Sequence, residues 1–207
     1  DGSGLAWYSE NSSGAAIIKS ILPLHNDQNI KSIAHHVQSM CFIGHIRAAT
    51  YGNISTNNCQ PFTYRNYTFC HNGNIDNYQN SKQSLEQLIS NHDHFSEGST
   101  DSELIFRLCT GFLKTEINLL FAIQKAIRML KRYTNSGAHC FCITNAEEII
   151  VVRLGHEKPP PSLFYQANQN MFVCASEPRN QNWLLFPENK ICTWSKNKHI
   201  MQFHSFF

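Results

Sequence analysis

Apolar residues in this chain follow two rhythms. Short runs bounded by turn residues occupy both ends, and stretches with apolar positions every three or four residues fill the middle. Residues 4–9 and 15–18 read as two strands joined by Glu10-Asn11-Ser12-Ser13-Gly14. Leu22-Pro23-Leu24 is a connector. Over 27–40, Ile30, Ile33, Ala34 and Val37 share one helical face. Residues 41–43 and 67–70 read as buried strands. Three helices follow. One spans about 81–90, with Leu85, Leu88 and Ile89 inward. A second is capped by Ser99 or Thr100, with Leu104, Ile105, Leu108 and Phe112 inward. A third spans about 116–133, with Leu120, Ile123, Ile127 and Leu130 inward. Asn135-Ser136-Gly137 ends the helical part. Strands then return at 139–144, 149–154, 163–166, 171–175 and 183–186, with a tail over 192–203 and a hairpin turn at Asn145-Ala146-Glu147. The proline-rich segment 155–162 is a loop, because strand pattern resumes at once.

Strands, then helices, then strands exclude an alternating α/β arrangement and predict an α+β fold with stacked antiparallel sheets, as a single domain over 1–207. A net charge of +2 suggests no nucleic-acid partner and no anionic membrane surface, and no apolar run approaches a membrane span. Lys125, Arg128, Lys131 and Arg132 read as a solvated helix face. The eight cysteines contain no C-x-x-C pair and mostly lie inside apolar runs, so they read as buried free thiols of a reducing, cytoplasmic compartment. Cys140 and Cys142 are expected on one strand face. The eleven histidines show no zinc spacing, so no metal is expected. The sequons at Asn11, Asn53 and Asn66 are taken as chance in an Asn-rich chain.

Polar residues gather where two strands give out. The first strand delivers Arg47 and Thr50, and the second delivers His71, Asn72 and Gly73. Gly98-Ser99-Thr100-Asp101-Ser102-Glu103 follows at the mouth of a helix. A forked guanidinium suits a carboxylate and an aspartate suits an ammonium, so Arg47 and Asp101 together suit an α-amino acid head group. The Asn72 side chain and the Gly73 main chain offer two N–H donors at one point, as an oxyanion hole requires. Each piece also has an ordinary reading: Arg47 as a surface ion pair, Asn72-Gly73 as a hairpin turn, Asp101 as a helix-terminus charge.

The segments DGSGLAWY (1–8), GHIRAATYG (44–52), NCQPF (58–62), FCHNGNID (69–76), GSTDSELIF (98–106) and ASEP (175–178) occur in the order seen in class II glutamine amidotransferases, which are N-terminal-nucleophile hydrolases. The chain most resembles their stand-alone branch, which includes the γ-glutamyl hydrolases of ergothioneine synthesis and glutathione breakdown. The resemblance implies a four-layer α-β-β-α sandwich of two antiparallel sheets with two helices on each outer side. It assigns Arg47 to the glutamyl α-carboxylate, Asp101 to the α-amino group, and Asn72 and Gly73 to the oxyanion hole. Thr50 and His71 are expected in the same substrate pocket. No cofactor is implied.

Two positions depart from the family pattern. Gln60 stands where a histidine is usual. The family's nucleophile is a cysteine at the mature N-terminus, whereas Asp1 lies inside the DGSG motif. The expectation is a longer natural chain, trimmed here, with an inactive relative or a separate completing piece as alternatives. Without that cysteine the chain would be inactive alone, and a missing first strand would leave apolar surface bare. The implied reaction is hydrolysis of a γ-glutamyl amide through a cysteine thioester, with the nucleophile's own α-amino group shuttling the proton. The alternative is a non-catalytic relative that binds a glutamyl ligand or a partner chain. Any acceptor of released ammonia would lie on a partner chain, or the enzyme simply hydrolyses; a homodimer is the other assembly considered.

Overall fold

A computed structural model describes residues 2–10, 14–48 and 53–206. The first apolar runs form β1 (Ser3–Tyr8) and β2 (Ala15–Ser20), and β1 also pairs with β3 (Phe42–Ile46), giving an antiparallel sheet of order β2-β1-β3. Between them lies α1 (Gln28–His36), capped by Asp27, whose carboxylate accepts the Asn29 and Ile30 N–H groups at 2.9 and 3.1 Å. It is shorter than the apolar spacing predicts, because Val37 has already turned extended, and only Ile30 is buried.

A six-stranded antiparallel sheet forms the centre. It contains β4 (Phe62–Tyr64), β5 (Tyr67–Ile75), β6 (Gly137–Thr144), β7 (Glu148–His156), β11 (Lys190–Ser195) and β12 (Ile200–His204), in the order β12-β11-β7-β6-β5-β4. The short strands β8 (Phe164–Asn168), β9 (Met171–Ala175) and β10 (Leu184–Leu185) make a third sheet of order β10-β8-β9. The turn between β6 and β7 falls at Asn145–Glu147, where the Asn145 side chain accepts the Glu147 and Glu148 N–H groups at 3.1 and 2.9 Å.

One face of the large sheet is covered by α2 (Tyr78–Gln87), α3 (Asp101–Phe112) and α4 (Leu119–Tyr133). Phe69, Phe141, Ile143 and Ile150 from the strands meet Leu104, Leu108, Ile123 and Ile127 from the helices in the main core. The other face packs on both small sheets. Cys140, Val151 and Cys192 meet Leu163, Phe172 and Cys174 there, with Cys140 and Cys142 on the same face as expected. Tyr8 pins β1 to the large sheet, its hydroxyl lying 2.9 Å from Thr68 Oγ1 and donating toward the Asn66 and Thr144 carbonyls at 2.8 Å. The layers are therefore α-β-β-α. The expected two helices per outer side are corrected among the described residues to three against the large sheet and one, α1, beside β3. β3 is an outer strand of its sheet and exposes Phe42 and Ile46 at 69% and 66%.

Candidate active site

β5 carries the centre of the site. The apolar run ends at Cys70, but the strand continues through Ile75, with Asn72 opposite Cys140 and Gly73 opposite His139 on β6. Asn72-Gly73 is therefore not a hairpin turn. Gly73 has φ +135°, and a Cβ there would run into the Ala138 carbonyl oxygen, so glycine is demanded by the backbone and by the closeness of β6. Strand alternation turns Phe69, His71 and Ile75 toward the helices and Cys70 and Asn72 toward the small sheets. Asn72 is exposed.

His71, expected in the substrate pocket, lies on the helix side of β5, the side from which Asp101 also comes. It is 2% exposed and faces the helices, on the opposite side of β5 from Asn72. Its Nδ1 lies 2.8 Å from Ser102 Oγ, and its Nε2 lies 3.1 Å from His139 Nδ1. Burial holds the His71 ring well below the usual imidazole range, reinforced by the neighbouring rings of His139 and His45. Burial likewise pushes His139 down to about 3, and His45, on β3, to about 4. All three rings are neutral at pH 7.

Gln60 and Asn58 hold the loops around this strand. The Gln60 amide is buried and donates to the His71 carbonyl at 3.0 Å while accepting the His71 N–H at 2.6 Å. Asn58, also buried, donates to the Asn53 carbonyl at 2.9 Å and accepts the Ser99 N–H at 2.8 Å. Gly98 is pressed so close that a Cβ would meet the Asn58 side-chain oxygen.

Asp101 opens α3 and is buried, with Thr100 as the cap through its hydroxyl and the Glu103 N–H at 3.3 Å. Its two carboxylate oxygens accept the Ile75 N–H at 2.7 Å and the Ser102 N–H at 2.8 Å. Burial raises its pKa above the ordinary aspartate value, and these N–H donors oppose the rise. Among the described residues, no Lys or Arg forms an ion pair with it. The ordinary reading as a helix-terminus charge holds, but the Ile75 bond ties the same carboxylate to the strand of Asn72.

Arg47 follows β3 and is buried. Its N–H donates to the Gly2 carbonyl at 2.9 Å and its guanidinium to the Asn53 carbonyl at 3.3 Å. Because Asn58 donates to that same carbonyl and also holds Ser99, one chain of bonds runs from Arg47 to the entrance of α3. Cys70 Sγ lies 3.8 Å from the Gly44 carbonyl, and His45 neighbours His71, so β3 packs against this part of β5. Thr50 lies outside the described residues. The sequence offered NCQPF as a segment without singling out Asn58, and His139 carried no signal beyond its place in an apolar run. Among the described residues, no group of three or more His, Cys, Asp or Glu is placed to hold a metal ion, and no helix is long and apolar enough to cross a membrane.

Asn72 and Gly73 thus lie on β5 beside Ile75, to which the buried Asp101 is bonded, and the buried Arg47 is joined through Asn53 and Asn58 to the entrance of α3. The family model described as "Glutamine amidotransferases class-II" matches residues 1–156. The chain is 29% identical over 253 residues to the "Probable glutamine amidotransferase DUG3" of Saccharomyces cerevisiae, covering 97% of this chain and 71% of that protein. It is 34% identical over 131 residues to a glutamine–fructose-6-phosphate aminotransferase of Helicobacter pylori, covering 63% of this chain and 19% of that protein. In structure it resembles a glutamine aminotransferase class-II domain protein of Silicibacter pomeroyi, with TM-score 0.79, 23% identity, and coverage of 100% of this chain and 91% of that one. A phosphoribosylpyrophosphate amidotransferase from B. subtilis aligns at TM-score 0.75 and 21% identity, covering all of this chain and 43% of that one.

Proposed function

From the premise that the chain belongs to the class II glutamine amidotransferases, we propose that it hydrolyses the side-chain amide of glutamine or a small γ-glutamyl compound. The observation that carries this reading is Asp101. A buried carboxylate at a helix N-terminus, tied to the strand of Asn72-Gly73 and without an ion pair among the described residues, suits an incoming ammonium group. In this reading Asp101 takes the α-amino group of the glutamyl unit and Arg47 its α-carboxylate.

The nucleophile is a cysteine carried ahead of Asp1. The Gly2 carbonyl accepts the Arg47 N–H at 2.9 Å, so the start of β1 lies at the cationic pole. The thiolate forms a C–S bond with the amide carbonyl, and the cysteine's own α-amino group holds the thiol proton. The Asn72 side chain and the Gly73 N–H take the developing oxyanion. The C–N bond breaks as the amine leaves with that proton. Water then attacks the thioester, releasing glutamate and restoring the thiol. Released ammonia either leaves to solvent or passes to a partner chain.

Glutamate release from glutamine by the full-length protein tests this. Activity is expected in the parent, lost on replacing the nucleophile by alanine, and Asp101→Asn is expected to raise KM for glutamine. A well-folded full-length protein that binds a glutamine analogue but never turns glutamine over would instead support a non-catalytic glutamyl-binding relative.

A further inference from the structure

We propose that Gln60 is a positioning residue for the oxyanion strand, its side-chain amide acting as a rung of the sheet where β4 has ended. The inference rests on the reading of Asn72 and Gly73 given above. β4 pairs with β5 from Tyr64↔Tyr67 to Phe62↔Phe69. Continuing that antiparallel register puts position 60 opposite His71. The main chain does not pair there. The Gln60 side chain instead supplies both halves of the missing rung: its Nε2 donates to the His71 carbonyl at 3.0 Å, and its Oε1 accepts the His71 N–H at 2.6 Å. A carboxamide presents a donor and an acceptor side by side and stays uncharged at every pH of interest, whereas a carboxyl does so only when protonated. The two nitrogens of an imidazole diverge around the ring, so a histidine at this position could satisfy only one partner.

The clamp falls one residue before Asn72 and two before Gly73. Gln60 is itself fixed: it is buried, and a Cβ on Gly4 of β1 would collide with its carbonyl oxygen. The residue it grips is held from the far side as well, through the His71 ring to Ser102 on α3 and to His139 on β6. Main chain and ring of His71 are therefore both fixed. The left-handed backbone at Gly73 starts from a strand that cannot slide, and Ser102 ties the same point to the helix that begins with Asp101. A donor aimed at an oxyanion gains its effect from being held in place before the charge develops. Loosening the strand should therefore lower kcat and leave ground-state binding through Arg47 and Asp101 nearly intact.

Two variants of the full-length protein test this. Gln60→Met keeps length and removes both bonds. The His71 amide should then exchange with solvent about tenfold faster or more, the order expected for loss of a buried hydrogen bond. The kcat for glutamine should fall by a similar factor, with KM changed less than about twofold. Gln60→Glu gives a second, pH-dependent reading. The introduced carboxyl matches the amide's donor and acceptor only when protonated, and burial raises its pKa. Its kcat relative to the parent should therefore recover as pH falls, which a packing defect would not do. An unchanged His71 exchange rate in Gln60→Met, or a lowered melting temperature with kcat per folded molecule intact, overturns the proposal. If Gln60→Met does not fold, a pH-independent deficit in Gln60→Glu overturns it equally. The exchange measurement needs no turnover, so a parent without glutaminase activity defeats the functional reading while the clamp is still decided by exchange.

Discussion

The buried imidazoles make stability at mild acidity the most quantitative consequence of this structure. His71, His139 and His45 are held neutral in the folded protein, His139 at about 3 and His45 at about 4, against 6.5 for an exposed ring. In the unfolded chain each ring takes up a proton below that value. Unfolding therefore binds protons, so the stability these rings contribute is fully present above about pH 6.5 and is lost as pH falls toward the folded values. One pH unit is worth about 1.4 kcal/mol per proton, so His139 and His45 each cost about 2 kcal/mol at pH 5, about 4 together, and His71 adds to this in the same direction. That approaches the whole stability of an ordinary domain, roughly 5–15 kcal/mol. Asp101 and Glu148, whose carboxyls are raised by burial, act in the opposite direction and reduce the net slope. The test that isolates the rings is therefore a difference. Urea denaturation of the full-length parent and of His139→Gln, at intervals from pH 7 to 5, gives proton uptake on unfolding from the slope of free energy against pH. The variant should take up close to one proton fewer near pH 5. Identical slopes in parent and variant would refute the placement of His139 as a buried neutral ring.

Three further outcomes follow from the same geometry. Asn72→Ala removes an exposed side chain, so melting should barely move, while kcat in a glutaminase assay falls by roughly 10²–10³. Gly73→Ala places a Cβ against the Ala138 carbonyl at φ +135°; circular dichroism should show a lowered melting temperature as well as lost turnover. Arg47→Lys keeps the charge but loses the fork, so isothermal titration with a glutamine analogue should show weaker binding.

Legibility in the sequence followed the physics of each element. α3 was readable because its apolar spacing, Thr100 cap and first-turn acids agree, and the structure starts the helix at Asp101. The continuation of β5 was not readable. Apolar character stops at Cys70, because Asn72 and Asn74 are exposed on one side and His71 meets a polar network on the other, so hydrophobicity no longer marks the strand. α1 was overread because Val37 has the right spacing but lies where the chain has already turned extended. Arg47, Asn72, Gly73 and Asp101 were legible as candidates, since their residue types match an amino-acid head group and an oxyanion. Alternation along β5 sends the His71 ring to the helix side, a direction that its neighbours in sequence do not reveal. His139 was invisible, because what makes it matter is its pairing with His71 across two strands far apart in sequence.

The candidate site residues therefore come from different layers. Asn72 looks toward the small sheets, and Arg47 comes from one of them. Asp101 comes from the helices on the far side of β5. A single strand one residue thick separates these environments, and a one-residue slip of its register would exchange the two faces. The bonds that prevent a slip are all short and buried: Gln60 and His139 to His71, Ser102 to His71, and Asp101 to Ile75. Three of these four grip His71 and the fourth grips Ile75, so they bracket Asn72-Gly73 from both ends. The arrangement explains why so much polar structure is buried beneath an exposed asparagine. Hydrophobic packing alone fixes which face of β5 is inward, but directional bonds on either side of the two donors fix where along the strand they sit.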